Sequence, residues 1–128
     1  MTKGASIKFT SYKNSVNELL ELLQVPNELK KYDKIILKPL IKSQESYTPV
    51  AFTEAVLQFC IENKNPITEI FIAEGSDGHD TTELYESLGY QKLAEKYSIG
   101  LIDLNDTETE DIENSEFTKF STISYPKI

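Results

Sequence analysis

Three acidic residues, the chain's single histidine and two glycines lie together in the segment Glu74-Gly75-Ser76-Asp77-Gly78-His79-Asp80. Carboxylate oxygens are preferred ligands of hard cations such as Mg²⁺, so Glu74, Asp77 and Asp80 are candidate metal ligands. His79 is the candidate catalytic residue, as a base or a metal ligand. The glycines let a ligand approach the backbone closely, whereas the three negative charges disfavour a bare phosphate. The segment therefore predicts a site for a hydroxyl-rich ligand or a hard cation, or else an ordinary connecting loop.

The residues on either side of this segment predict a strand before it and a helix after it. Ile70–Ala73 is an apolar run of the length of a buried strand. Asp80 followed by Glu83 forms a capping-box pattern, and Gly89 is suited to the helix C-terminus. A strand, a polar loop and a capped helix place side chains at the carboxyl edge of a parallel sheet.

Lys38 lies at the carboxyl end of a second predicted strand, Lys34–Ile41, whose central apolar run ends at Lys38-Pro39. It is either a solvated lysine or a cation that binds an anionic group beside Glu74. Thr48 and Pro49 follow as the start of a helix. We expect a small-molecule or metal site at the strand carboxyl ends, in loops 38–48 and 74–80; whether the chain is an enzyme stays open. The candidate ligand-binding residues are Lys38, Thr48, Glu74, Gly75, Ser76 and Asp80.

Alternating strand and helix patterns predict an α/β fold for the chain as a single domain over residues 1–128. We expect three layers, Rossmann-like, with a mostly parallel sheet, helices on both faces and an extra edge strand near the C-terminus. The other predicted strands are Ile7–Phe9, Gly100–Leu104 and Glu116–Ser124. Three further helices are predicted. The first is capped by Ser15 and has an apolar stripe of Val16, Leu19, Leu20 and Leu23 before Pro26. The second is capped by Thr48 and has an apolar stripe of Phe52, Ala55, Val56, Phe59 and Cys60, and the third is Tyr90–Tyr97.

Charge and cysteine content exclude several classes of protein. The net charge is −8, and residues 103–116 contain seven acids and no lysine, which predicts a solvated, mobile loop. This acidity argues against a nucleic-acid partner, and no apolar run suits a membrane span. Cys60, the only cysteine, is expected in the core; alone it cannot form an iron–sulfur cluster. We expect a reducing, cytoplasmic location.

A series of short motifs occurs in a fixed order: Lys38-Pro39, Tyr47-Thr48-Pro49, Ala73-Glu74-Gly75-Ser76, Asp80-Thr81-Thr82, Leu88-Gly89-Tyr90, Leu93-Ala94-Glu95-Lys96-Tyr97 and Leu101-Ile102-Asp103-Leu104-Asn105. Taken together, these motifs resemble the amino-terminal part of the domain-of-unknown-function 362 family, over roughly Ile7 to Asn105. The resemblance implies an α/β domain that continues beyond this length; some members also carry ferredoxin-type iron–sulfur modules. The family pattern has asparagine after Lys-Pro, where this chain has Leu40.

The alternative function is a non-catalytic interaction or homo-oligomerisation module that uses an edge strand.

Overall fold

Three short parallel strands form the sheet around which the helices are arranged. The computed structural model describes residues 4–106, 109–113 and 122–126. The strands of the sheet are β1, β4 and β5, in that order, which confirms the predicted α/β class with a parallel sheet. The elements in chain order are α1 Tyr12–Leu22, α2 Val25–Leu29, β1 Lys34–Leu37, β2 Ile41–Ser43, β3 Ser46–Tyr47, α3 Val50–Asn63, β4 Glu69–Glu74, α4 Thr81–Leu88, α5 Tyr90–Tyr97, β5 Gly100–Asp103, β6 Thr109–Glu113 and β7 Thr122–Pro126.

The hydrophobic core lies against one face of this sheet. Because side chains alternate along a strand, the register places Leu37, Ile72 and Leu101 side by side on that face. Ile72 is fully buried and packs in a cluster with apolar residues of α3, α4 and α5. β4 lies between β1 and β5, and its residues Ile70, Ile72 and Ala73 are buried, which explains why the central strand reads as a nearly continuous apolar run.

The opposite face of the sheet is less covered. Ile36 is 40% exposed there. The ring of Phe71 lies over Gly100, where a Cβ atom would come within 2.5 Å of Phe71 Cδ1. The described core cluster lies on the Ile72 face, together with residues of α3, α4 and α5. Right-handed crossovers between strands added in one direction, β1 to β4 to β5, place both connections on the same face.

The amino-terminal predictions need correction. Residues 7–9 form no strand. The first helix is capped by Ser11, whose hydroxyl accepts the Asn14 N–H at 3.1 Å, and not by Ser15. Ser15 is buried and accepts the Thr10 N–H, because α1 begins about one turn earlier than the sequence predicts. Pro26 lies in the first turn of α2, where its missing N–H is tolerated, and does not end α1.

The middle of the chain differs from the prediction at both ends of the loop 38–48. The strand ends at Leu37, and Ile41 belongs to a small antiparallel hairpin of β2 and β3. Thr48 does not cap α3: its hydroxyl accepts the Leu40 N–H at 2.9 Å, and Pro49 takes the N-cap position without a side-chain hydrogen bond. The buried side of α3 is wider than the predicted stripe. Thr53 and Leu57 are buried, whereas Phe52 is 40% exposed.

The acidic segment contains a strand that the sequence does not predict. β6 lies within it and pairs antiparallel with β7. The predicted strand 116–124 overlaps β7 only at residues 122–124, and residues 116–121 lie outside the described part of the chain. β7 belongs to this separate two-stranded sheet, so it does not extend the parallel sheet as an edge strand.

Several local predictions are confirmed. Asp80 caps α4 by accepting the Glu83 N–H at 3.2 Å, and Gly89 ends that helix at φ 96°. Cys60 is buried in the core, and burial raises the pKa of its thiol to about 11. Among the described residues, no helix is long and apolar enough to cross a membrane.

A polar network joins α3 to α5 and gives the fold a pH dependence. Glu54 Oε2 lies 2.8 Å from Lys96 Nζ and accepts a hydrogen bond from the Tyr97 hydroxyl at 3.0 Å. The hydrogen bond from Lys96 holds the pKa of the Glu54 carboxyl below its ordinary value of 4.5. A carboxyl with a lowered folded-state pKa contributes stability that is present above its unfolded pKa and is lost as pH falls through the folded value.

We expect Glu54→Gln to be less stable than the parent chain near pH 7 and equally stable well below the Glu54 pKa. Urea unfolding midpoints measured from pH 7 down to pH 3 would show the two curves converging in acid. Glu62→Gln, an exposed change on the same helix, should run parallel to the parent. A constant offset between Glu54→Gln and the parent at every pH would show that the carboxylate charge is not involved.

Candidate functional site

A buried carboxylate and a lysine form an ion pair where β1 and β4 end. Lys38 Nζ lies 2.9 Å from Glu74 Oε1; the Glu74 side chain is 8% exposed and the Lys38 side chain 61%. The same carboxylate oxygen accepts the Gly75 N–H at 2.9 Å. Both strands run in the same direction, so their carboxyl ends meet at one edge of the sheet. The buried negative charge of Glu74 is therefore stabilised by one cation, Lys38, and by one backbone hydrogen-bond donor, the Gly75 N–H.

The loop after β4 is tied to the segment after β5 by the side chain of Asn105. Asn105 Nδ2 donates to the Ser76 carbonyl at 3.0 Å and lies 3.4 Å from Thr81 Oγ1. The Thr81 hydroxyl also accepts the Ser76 N–H at 3.0 Å. Gly75 is required for this close approach, because a Cβ there would come within 2.7 Å of Asn105 Oδ1. The two strand-end segments therefore form one connected wall.

The buried side chain of Tyr85 also stabilises this edge of the sheet. Its hydroxyl donates to the Ile102 carbonyl at 2.8 Å and lies 3.3 Å from the Glu74 carbonyl, so it bridges the ends of β4 and β5. Burial raises the pKa of this phenol well above its ordinary value of 10.0, so it remains a neutral donor. The edge is thereby fixed by side chains of α4 as well as by the sheet.

A cleft of about 460 Å³ opens between these two strand-end segments. Its volume falls in the range of small-molecule sites. Three of its lining residues are acidic, one is histidine, and the others are hydroxyl or amide residues. His79 is exposed at its margin. The lining residues are His79, Asp80, Thr81, Thr82, Asp103, Asn105 and Asp106.

The comparison with protein families gives a match that overlaps the predicted resemblance, roughly Ile7 to Asn105, from residue 35 onward and extends beyond it. The family model described as "Domain of unknown function (DUF362)" matches residues 35–127. The chain belongs to the DUF362 family. The searches of curated proteins and of solved structures each found no match. The match therefore identifies the family of the chain but assigns no reaction to it.

The structure distributes the predicted site residues of this DUF362 member over two depressions. Asp80 lines the acidic cleft, whereas Lys38 and Thr48 line a second hollow of about 240 Å³ between β1 and α3. Glu74 lies between these regions, since it pairs with Lys38, which follows β1, and is aligned with Asp103 of β5. The Ser76 hydroxyl donates to the Lys42 carbonyl at 3.0 Å, so it fastens loop 38–48 to the loop after β4.

The predicted metal ligands do not form a cluster in the part of the chain that the structure describes. No group of three or more histidine, cysteine, aspartate or glutamate side chains is arranged there to hold a metal ion. Glu74 is engaged by Lys38, Asp80 caps α4, and Asp77 is exposed.

Sequence reasoning overlooked Asn105, Thr81 and Tyr85 as site residues. Asn105 follows the last predicted parallel strand, so the rule that predicts Lys38 and Glu74 at the carboxyl edge would also have predicted Asn105 there. Thr81 and Tyr85 carry no such signal. Their roles depend on the helix α4 turning its first residues toward the sheet edge, which only the three-dimensional structure shows.

Proposed function

We propose that this chain is a small-molecule-binding α/β domain whose ligand occupies the acidic cleft at the carboxyl edge of the sheet. The observation that carries the proposal is the cleft of about 460 Å³ between two strand-end segments that hydrogen bonds hold in place. Open parallel sheets bind ligands outside the carboxyl ends of their strands, and the cleft lies at that edge. The fixed walls reduce the ordering cost of binding.

The lining residues define the class of ligand. Asp80, Asp103 and Asp106 disfavour phosphate and carboxylate groups in the cleft. Hydroxyl and amine groups complement carboxylate oxygens, so the ligand is a small polar molecule without anionic groups. Asp106 is exposed and free to contact it, whereas one oxygen of Asp80 and one of Asp103 accept backbone N–H groups. A divalent cation is the alternative ligand, and turnover of the ligand is not part of the proposal.

The Lys38–Glu74 pair supports the cleft without lining it. A buried ion pair adds little stability relative to apolar residues of the same volume. Its occurrence at the carboxyl edge therefore favours a role in shaping the site, consistent with the hydrogen bond from Leu104 N–H to the Glu74 carbonyl at 3.0 Å. A cytoplasmic location and a single domain over residues 1–128 stay predictions.

Titration of the ¹⁵N-labelled chain with four probes tests this function: myo-inositol, spermidine, magnesium chloride and sodium phosphate. We expect myo-inositol or spermidine to shift the amide signals of residues 79–82 and 103–106, and phosphate to leave them unchanged. Asp106→Asn should weaken spermidine binding about threefold, the effect of one exposed charge. Asp33→Asn, the same change at the amino end of the sheet, should not alter it.

Two outcomes would reject the proposed ligand class. If phosphate shifted the cleft amides and neither organic probe did, the electrostatic reasoning would be wrong. If magnesium alone shifted them, the cleft would be a cation site. If none of the four probes shifted the cleft amide signals at millimolar concentration, the result would count against a small-molecule site at this edge.

A further inference from the structure

A further cavity continues from the acidic cleft along β5. It measures about 540 Å³ and lies between β5 and the helices α4 and α5, with Leu101 of the strand and Ala94 of α5 among its lining residues. Thr82 and Asp103 line both this cavity, which we call the β5 groove, and the acidic cleft. The two cavities are therefore adjacent at the carboxyl end of β5, and a ligand longer than the cleft extends from one into the other.

The middle of the β5 groove is apolar. Leu101 and Asp103 are two residues apart on β5, so their side chains share one face of the sheet, and Ile99, just before the strand, lines the same groove. Leu101 and Ile99 are half-buried and pack against the hydrophobic core, and Ala94 is buried. From Ile99 to Asp103 the chain advances roughly 13 Å at the usual rise of a strand. An unbranched methylene chain of that length covers this apolar floor.

Carboxylates lie at both ends of the β5 groove. Asp103 is at the carboxyl end, where the acidic cleft begins. Glu95 is at the opposite end, in the last turn of α5, just before the chain enters β5. Its exposed carboxylate accepts a hydrogen bond from Gln91 Nε2 at 3.1 Å, and the neighbouring Lys96 pairs with Glu54 instead. Since no basic side chain of the described residues lines the groove, its charge is complementary to a molecule with a cation at each end.

We propose that the ligand of this site is a linear aliphatic diamine that occupies the acidic cleft and the β5 groove together. One ammonium group lies beside Asp103 at the junction of the two cavities, and the second lies at Glu95. The methylene chain between them lies over Leu101 and Ile99. This inference rests on the proposed function, because the first ammonium group occupies the acidic cleft, and it narrows the ligand from any small polar molecule to one of defined shape.

The two cavities together disfavour other small polar molecules. A polyol of the size of the cleft leaves the apolar floor of the groove exposed to water. An aliphatic monoamine covers the floor but gives Glu95 no cation. Spermidine carries a charged nitrogen within its chain, and that nitrogen loses water over the apolar floor at a cost in free energy. An uninterrupted methylene chain with an ammonium group at each end complements both the floor and the two carboxylate ends.

Titration of the ¹⁵N-labelled chain with ethylamine, octylamine and octamethylenediamine tests this inference. All three amines should shift the amide signals of residues 103–106, because each carries the ammonium group that the cleft binds. The two long amines should also shift the amides of Ser98, Ile99 and Leu101. Affinity should rise about twofold per added methylene, half the free-energy gain of complete burial, because the groove is open to solvent. The second ammonium group should add about threefold, the effect of one exposed charge pair.

Two variants at exposed glutamates locate the second ammonium group. Glu95→Gln removes the charge at the far end of the groove and keeps an amide oxygen for Gln91. Octamethylenediamine should therefore lose its threefold advantage, whereas octylamine should bind as before. Glu86→Gln, the same change on α4 at a residue that does not line the groove, should leave all affinities unchanged. Spermidine should bind the parent chain more weakly than octamethylenediamine does.

The results distinguish this inference from the proposed function. If ethylamine shifts the cleft amides but octylamine binds no more tightly, the ligand is confined to the cleft; the inference is then overturned and the proposed function stands. The inference is also overturned if the diamine has no advantage over octylamine, or if Glu95→Gln leaves that advantage intact. If none of the three amines shifts the cleft amides, the inference fails, whereas a shift caused by myo-inositol would still support the proposed function.

Discussion

Lys38→Met is expected to lower the free energy of unfolding by about 3 kcal/mol, although the Lys38 side chain is 61% exposed. Methionine keeps an unbranched apolar stem one atom shorter than lysine, so the loss comes mainly from the missing charge. It leaves the Glu74 carboxylate, 8% exposed, with the Gly75 N–H as its remaining hydrogen-bond donor. Removing one member of a buried pair is costly because the other charge stays without water and without a counter-ion. The value lies at the lower end of the range because Lys38 faces solvent.

The opposite change separates charge from packing. Glu74→Gln should cost less than Lys38→Met, since Lys38 can be solvated and the amide oxygen can still accept the Gly75 N–H. The double variant Lys38→Met/Glu74→Gln should recover most of the loss, to within about 1 kcal/mol of Glu74→Gln alone. Urea unfolding of the four chains at pH 7 gives these differences. Lys42→Met, at an exposed lysine of the same loop, should be close to neutral. A Glu74→Gln loss as large as that of Lys38→Met would show that charge does not hold the pair.

Strand direction accounts for most of what the sequence predicts correctly. Short apolar runs before Lys38, Glu74 and Asp103 imply parallel strands, and parallel strands end at a common edge. The structure accordingly brings Lys38 and Glu74 to 2.9 Å and aligns Glu74 with Asp103. The capping pattern of Asp80 and Glu83 is also predictable because it depends on residues within one helical turn.

Errors arise where a residue has a good local capping pattern but its side chain makes another contact. Ser15 has the sequence context of a cap, but it is buried and accepts the Thr10 N–H, and Ser11 caps the helix. Thr48 has the sequence context of a cap, but its hydroxyl accepts the N–H of Leu40, eight residues away. Helix propensity and residue spacing do not predict which residue caps either helix, because both caps depend on how loop 38–48 and α1 pack against α3.

Tyr90→Phe is the second change for which we expect a large effect, a loss of about 2 kcal/mol from removal of one oxygen atom. Tyr90 is fully buried and its hydroxyl donates to the Thr48 carbonyl at 2.7 Å. That hydrogen is then committed, so the Thr53 hydroxyl, 2.8 Å away, donates to the phenol oxygen. Burial raises the pKa of this phenol, which keeps it protonated as the donor that Thr48 requires. Phenylalanine fills the same space and leaves both partners unsatisfied.

Loss of this bond should also loosen the loop that carries Lys38. Thr48 and Leu40 hold each other through two hydrogen bonds, Thr48 N–H to the Leu40 carbonyl at 2.8 Å and Leu40 N–H to the Thr48 hydroxyl at 2.9 Å. Tyr90 anchors that pair to the core. We therefore expect faster amide hydrogen exchange at Leu40 and Thr48 in Tyr90→Phe, with exchange at Ile72 changed only as far as global stability falls. Tyr32→Phe, at a tyrosine 56% exposed, provides the matched control and should be neutral. If Tyr90→Phe were equally neutral, the buried hydroxyl would contribute nothing to the fold.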